Sequence, residues 1–130
     1  KTDAIPLYTN YAAGWTMGAW DAYIGINATG DNTYMNQKLV HTKDPFKDYG
    51  DDTHAYSVYK ILYDAVNHGL TEEDYSTTDW EGCKVKINDG KIGCMVLGSW
   101  SYPQMAAAGK NGDDIGYNFN RRKAVCICRS

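Results

Sequence analysis

Residues 91–98, KIGCMVLG, make a strand-length apolar run that passes through Gly98 and Ser99 directly into Trp100. A run without polar alternation has no wet face, so a strand built from it must be covered on both sides. Helices are the natural cover, and the fold class that follows is α/β: a small sheet covered by helices. The length of 130 residues suits one such domain with a core of its own.

The rest of the chain supplies those layers. AIPLYTN (4–10) reads as a short strand, with Pro6 suited to a sheet edge because it cannot donate to a ladder. YAAGWTMGAWDAYIGI (11–26) then sets Trp15, Ala19 and Tyr23 on one helical face, with Trp20 and Ile24 beside it. Residues 27–53 are rich in Gly, Asp, Asn and Pro and are expected to be loops, with a short strand near Gln37–Val40. The spacing of Ala55, Val58, Leu62, Ala65 and Val66 predicts a helix over 54–68, flanked by Tyr59 and Ile61. Asp51, Asp52 and Thr53 offer capping chemistry at its start, and His68 with Gly69 a stop. Thr78 and Glu81 form a capping-box pattern that opens a helix through about Asn88, closed by Gly90. Ser99 or Ser101 caps one more helix, with Pro103 in its first turn and its end at Gly109. IGYNFN (115–120) alternates as a last strand, and the expected order is β-α-loop-α-α-β-α-β.

Charge and cysteine content exclude several functions. The net charge is -3, from 13 basic and 16 acidic side chains. The only basic cluster is Arg121, Arg122 and Lys123, too narrow a footprint for nucleic acid. No apolar run approaches the roughly 20 residues that span a bilayer. Cys83, Cys94, Cys126 and Cys128 are too few and too irregular for a disulfide scaffold, and Cys126-x-Cys128 lacks zinc-knuckle spacing, so no metal or cofactor is expected. Cys83 and Cys94 can pair if the turn between them folds back. The N-terminus, KTDAIPLY, has no secretory apolar core and reads as an internal starting point.

The aromatic balance points to binding instead, for 11 Tyr and 4 Trp far outnumber 2 Phe. Tyr and Trp join a flat apolar body to a polar handle, which suits polar ligands. Both YTNYAAGW and MVLGSW place a tryptophan just past the carboxyl end of a strand, where open α/β sheets bind ligands. If those strands are parallel neighbours, Trp15 and Trp100 rise from one edge. An indole there can pack on the apolar C–H face of a pyranose while polar groups take its hydroxyls. The alternative is that each indole merely closes the core at the sheet edge.

WEGCKVKINDGKIGCMVLGSWSYPQMAAAG (80–109), with DDIGYNF (113–119) after it, resembles the extracellular solute-binding proteins of carbohydrate ABC transporters. AIPLYTNYAAGWTMGAWDAYIGI is similar to the segment that opens the second lobe of those proteins, and HAYSVYKILYDAVNHGL to their helix that ends in a Gly-Leu turn. The resemblance covers about residues 4–119. It implies one lobe of a periplasmic-binding-protein-like fold over residues 1–120, with 121–130 an atypical tail that matches nothing in the family. It implies capture of a sugar or oligosaccharide for an ABC permease, outside the cell and without chemistry, by a parent anchored as a lipoprotein. Neither the anchor signal nor the first lobe is carried in these residues, so a truncated gene or a shifted reading frame is the expected origin of the tail NRRKAVCICRS. Trp100 matches the tryptophan that stacks on sugar in this family, and Trp15 matches an aromatic that lines the cleft. Ser99, Tyr11 and Asn10 are candidates by neighbourhood.

Two rival classes are weighed against this reading. For an enzyme, the adjacent pairs Asp51 with Asp52 and Glu72 with Glu73 are expected to cap helices and solvate loops, and His41, His54 and His68 have no nucleophile motif beside them. For an interaction module, a truncated domain exposes surfaces that its missing lobe covers, and such patches drive association into homodimers.

Overall fold

The computed structural model describes residues 3–24, 26, 29–50, 54–77, 79–119 and 125–129. Its centre is a four-stranded sheet of β1 (Ile5–Leu7), β2 (Ile92–Val96), β3 (Ile115–Phe119) and β4 (Val125–Arg129), in the order β1-β2-β4-β3. β1 runs parallel to β2, with Ile5 opposite Ile92 and Leu7 opposite Cys94. β4 is antiparallel to both of its neighbours. The sheet is therefore mixed, and residues from the 121–130 tail supply its third strand position.

β2 is inside the sheet, as its apolar run requires, and Ile92, Met95, Val96 and Leu97 are all buried. β1 is the edge on which Pro6 costs no ladder bond. The two strands meet closely at Gly93, where a Cβ would lie 2.8 Å from the carbonyl oxygen of Pro6. Any larger residue there would push β1 off β2.

Among the described residues four α-helices accompany the sheet: α1 (Trp15–Ala19), α2 (Ala55–Asn67), α3 (Trp80–Asn88) and α4 (Tyr102–Ala107). α1 continues as a wider π-helical turn over Trp20–Ile24. α3 and α4 complete the main core, in which Cys83, Ile87 and Met105 pack with Tyr8, Ile92, Met95, Leu97 and Ile115. Asn88, fully buried, joins these helices by donating to the Met105 carbonyl at 3.0 Å and accepting from the Asn111 amide at 3.0 Å. Such pairing removes the cost of its burial.

α2 packs on the Trp20–Ile24 turn and buries Ala55, Val58 and Ala65. Its stripe is narrower than the spacing predicts, since Leu62 is half-buried while Ile61 and Val66 are exposed. It stops where expected. Gly69, at φ 65, lets its own amide reach the Val66 carbonyl and that of Leu70 the Ala65 carbonyl, a Schellman closure. The capping expected from Asp51, Asp52 and Thr53 lies outside the described residues.

Two local expectations are corrected. The Gln37–Val40 segment is helical, in turns over Tyr34–Lys38 and Leu39–His41, and not a strand. The Asp31 side chain accepts from the Thr33 amide at 2.8 Å and from its hydroxyl at 2.7 Å, which starts a helical turn, while Val40 is left 78% exposed with nothing to pair against. The cap of α3 is Asp79, whose side chain accepts from the Gly82 amide, and Glu81 pairs with Lys84. Thr78 lies outside the described residues.

Candidate functional site

The parallel pairing of β1 and β2 brings their carboxyl ends side by side, and Trp15 and Trp100 rise from that one edge with ring centroids 5.7 Å apart. Trp15 is the first residue of α1, and Trp100 lies in the Ser99–Ser101 turn that leads into α4. Both are about half exposed, 47% and 46%, so neither indole is a simple core lid. Nothing in the tight Gly98-Ser99 turn has the bulk to cover Trp100. Ser101 turns inward and donates its hydroxyl to the Gly98 carbonyl at 2.7 Å, which fixes the turn; Ser99 is exposed beside the ring.

A third indole joins them. Trp80, the first residue of α3, lies 4.9 Å from Trp15 edge-on and 5.8 Å from Trp100. Its Nε1–H donates to the Gln104 side chain at 3.3 Å, and the Lys84 ammonium sits 5.7 Å from its ring centre. The three rings form one contiguous aromatic surface with a polar rim. Offset and edge-on contacts of this kind hold rings in fixed relative orientation. Trp80 sits inside a capping pattern, and the sequence alone gives it no role in binding. No local pattern marks it, because Trp15, the ring it meets edge-on, lies 65 residues away in the chain.

The remaining candidates divide. Tyr11 is 58% exposed but packs edge-on against Tyr75 and lines a recess of about 290 Å3 with Thr9, Met17, Leu62, Val66 and Tyr75. Asn10 is fully buried at φ 54, its side-chain amide directed at the Cys83 sulfur at 3.9 Å. The backbone at Asn10 is held from behind by Glu72. Far from solvating a loop, that carboxyl is 4% exposed and accepts from the Thr9 amide at 2.9 Å, the Thr9 hydroxyl at 2.6 Å and the Asn10 amide at 2.8 Å. Nothing in Asp51, Asp52, Thr71 or Glu73 announces this clasp, because its two halves are 63 residues apart.

Cys83 is buried beneath the cluster, where burial first, and then the charge of Asp79, push its thiol up to about 12, so it is no nucleophile at neutral pH. Cys83 and Cys94 are not joined to each other. His54 stacks on Tyr49 at 4.2 Å and His68 holds its ring nitrogen against the Asp64 carbonyl at 2.7 Å, each at an end of α2. Among the described residues no three His, Cys, Asp or Glu side chains converge on a metal position, and no helix is long and apolar enough to cross a membrane.

An open aromatic face at the carboxyl ends of parallel strands, in a sheet layered with helices, defines a ligand-binding α/β lobe. Known structures narrow that class. The chain is similar to BlMnBP1, a binding protein of an ABC transporter from Bifidobacterium animalis subsp. lactis solved with mannobiose, at 53% identity and a TM-score of 0.81, over 99% of this chain and 33% of that one. The same protein with mannotriose matches at 54% identity and 0.81, over 99% and 34%. BlMnBP2 of that organism, a manno-oligosaccharide specific solute-binding protein solved with mannotriose, matches at 52% identity and 0.79, again over 99% and 34%. Over nearly its whole length the chain is similar to a part of these sugar-binding proteins of ABC transporters, and its fold matches one lobe of them. It spans about one third of their length. No protein-family model matches the chain, and no curated protein matches it.

Proposed function

We propose that this chain is the carbohydrate-binding second lobe of a solute-binding protein that captures manno-oligosaccharides outside the cell and delivers them to an ABC permease. Trp100 and Trp15 are the stacking platform, with Trp80 completing it. Ser99 and Gln104 supply hydroxyl partners at the rim, Tyr11 borders the face, and Asn10 supports it from within. No chemistry is done on the sugar. The parent adds the first lobe and a lipid anchor. The observation that carries this reading is the triad of touching indoles at one sheet edge, of which Trp15 and Trp100 are about half exposed and Trp80 is partly buried against the core. Val125–Arg129, within the 121–130 tail, contribute β4 to the sheet of that lobe.

A single lobe offers an open face. A clamp excludes water from its ligand, whereas here water contests each hydrogen bond and the cost of immobilising the sugar is undiminished. The isolated chain therefore binds mannobiose and mannotriose at roughly millimolar affinity, near -4 kcal/mol. Calorimetric titration of the monomer is the test; a micromolar constant, or none of the manno-oligosaccharides binding at tens of millimolar, contradicts the half-cleft.

A second reading, self-association in place of sugar capture, has one observation in its favour. Phe46, Tyr59, Ile61, Tyr63 and Val66 are all exposed on and around α2. Sedimentation that depends on concentration and not on sugar supports it.

A further inference from the structure

We infer that Glu72 is a positioning residue for the tryptophan surface, holding Trp15 in place through the turn between β1 and α1; the inference rests on the sugar-binding reading of that surface.

The turn needs an outside anchor. Asn10 takes the left-handed conformation, φ 54 and ψ 41, which a side chain other than glycine's disfavours. The next residues, Tyr11–Ala13, make a single 3-10 turn, and Gly14 at φ 66 reverses the chain into Trp15. Left to itself such a run has many conformers, and α1 is too short to hold its own first residue. Glu72 removes that freedom. Its Oε1 accepts from the Asn10 amide at 2.8 Å and the Thr9 hydroxyl at 2.6 Å, and its Oε2 from the Thr9 amide at 2.9 Å. The Leu7 amide donates to the Leu70 carbonyl at 3.0 Å, so the whole 70–72 segment lies along the end of β1.

The constraint is passed on by bonds. With its amide held, Asn10 presents its carbonyl to the Ala13 amide at 3.0 Å and to the Thr16 hydroxyl at 2.9 Å. Thr16, 1% exposed, is the neighbour of Trp15. The Asn10 side chain reaches the Cys83 sulfur on α3, the helix whose first residue is Trp80. Glu72 thus fixes the one residue that bonds toward both Trp15 and the helix of Trp80. A carboxyl buried this deeply is costly unless donors surround it, and here the donors all belong to the turn it organises.

The test compares Glu72→Ala and Glu72→Gln with Trp15→Ala. Indoles this close couple optically, so the near-ultraviolet circular dichroism of the triad reports the place of Trp15 with no sugar present. Glu72→Ala should lower that band to the level of Trp15→Ala while the far-ultraviolet spectrum is unchanged. Glu72→Gln, which keeps one acceptor oxygen, should fall between. Mannotriose affinity should drop roughly three- to tenfold in Glu72→Ala as preorganisation is lost. Adding Glu72→Ala to Trp15→Ala should then weaken binding no further. A folded Glu72→Ala with the wild-type band overturns the inference. So does loss of the far-ultraviolet spectrum in both Glu72 variants, which makes the residue a support of the whole fold. Wild-type chain that ignores mannotriose defeats the sugar reading alone, because the optical comparison still decides whether Glu72 places Trp15.

Discussion

The tryptophan edge and the outer face of α2 both expose large aromatic rings, yet they are built differently. At the edge, three indoles touch one another and the backbone behind them is tied down by Glu72, Thr16 and Ser101. On α2, Tyr59 and Phe46 meet at 5.9 Å, and the Tyr59 hydroxyl, pushed up to about 12 by burial and by its bond to Asp21 at 2.7 Å, is engaged in holding α2 to the turn after α1. Lys60 and Asp64 pair on the same exposed surface. Exposure of aromatics does not by itself mark a site. What separates the two regions is the buried polar framework that stands behind the tryptophan edge.

That contrast can be broken from behind. Ile87, fully buried on α3, supports the platform through the helix that carries Trp80, and Ile87→Ala should cost about 2–5 kcal/mol in a denaturant melt. Less than about 1 kcal/mol would mean that the core behind the edge is loosely packed. Next is the cap. Asp79→Ala removes the acceptor for the Gly82 amide and should cost about 0.5–2 kcal/mol, with Trp80 fluorescence changing in step. On the other region, Ile61→Ala, at a residue 51% exposed, should stay within about 0.5 kcal/mol of wild type and leave sugar binding untouched. A larger loss at Ile61 would reveal that the α2 face is covered in solution and favour self-association.

The smallest effect is a local pH response. Lys38, and then the Thr33 hydroxyl and amide, lower Asp31 from its ordinary 3.8 to about 2. A carboxyl depressed on folding stabilises above its unfolded value and stops doing so as pH falls through its folded one. The turns over 34–41 should therefore loosen between about pH 4 and 2, seen as faster amide exchange of Thr33 and Lys38, with the tryptophan band unmoved. A band that changes in parallel would couple the two regions.

Legibility in the sequence follows the range of the forces. The buried strand at 92–96, the stop of α2 at Gly69 and that of α3 at Gly90 are each written within a few residues, and they stand where the pattern puts them. The junction of Trp15 with Trp100 could be stated only as a condition on strand pairing, since spacing cannot say which strands are neighbours. Trp80 and Glu72 were illegible for the same reason. Their roles rest on partners 65 and 63 residues away, the first being the separation of Trp15 and Trp80 in the chain. The helical turns near Gln37 came from a side-chain bond of Asp31 that competes with extended structure, which a hydrophobic pattern does not register.

The central claim is that sugar meets the chain at the tryptophan edge. It is tested most directly by the indole Nε1–H resonances of the four tryptophans, followed by nitrogen-resolved NMR as mannotriose is raised to tens of millimolar. Trp15, Trp80 and Trp100 should move together along one saturation curve, and Trp20, 3% exposed in the interior, should stay where it is. Four stationary signals, or shifts confined to Trp20 and the residues of α2, would contradict the account.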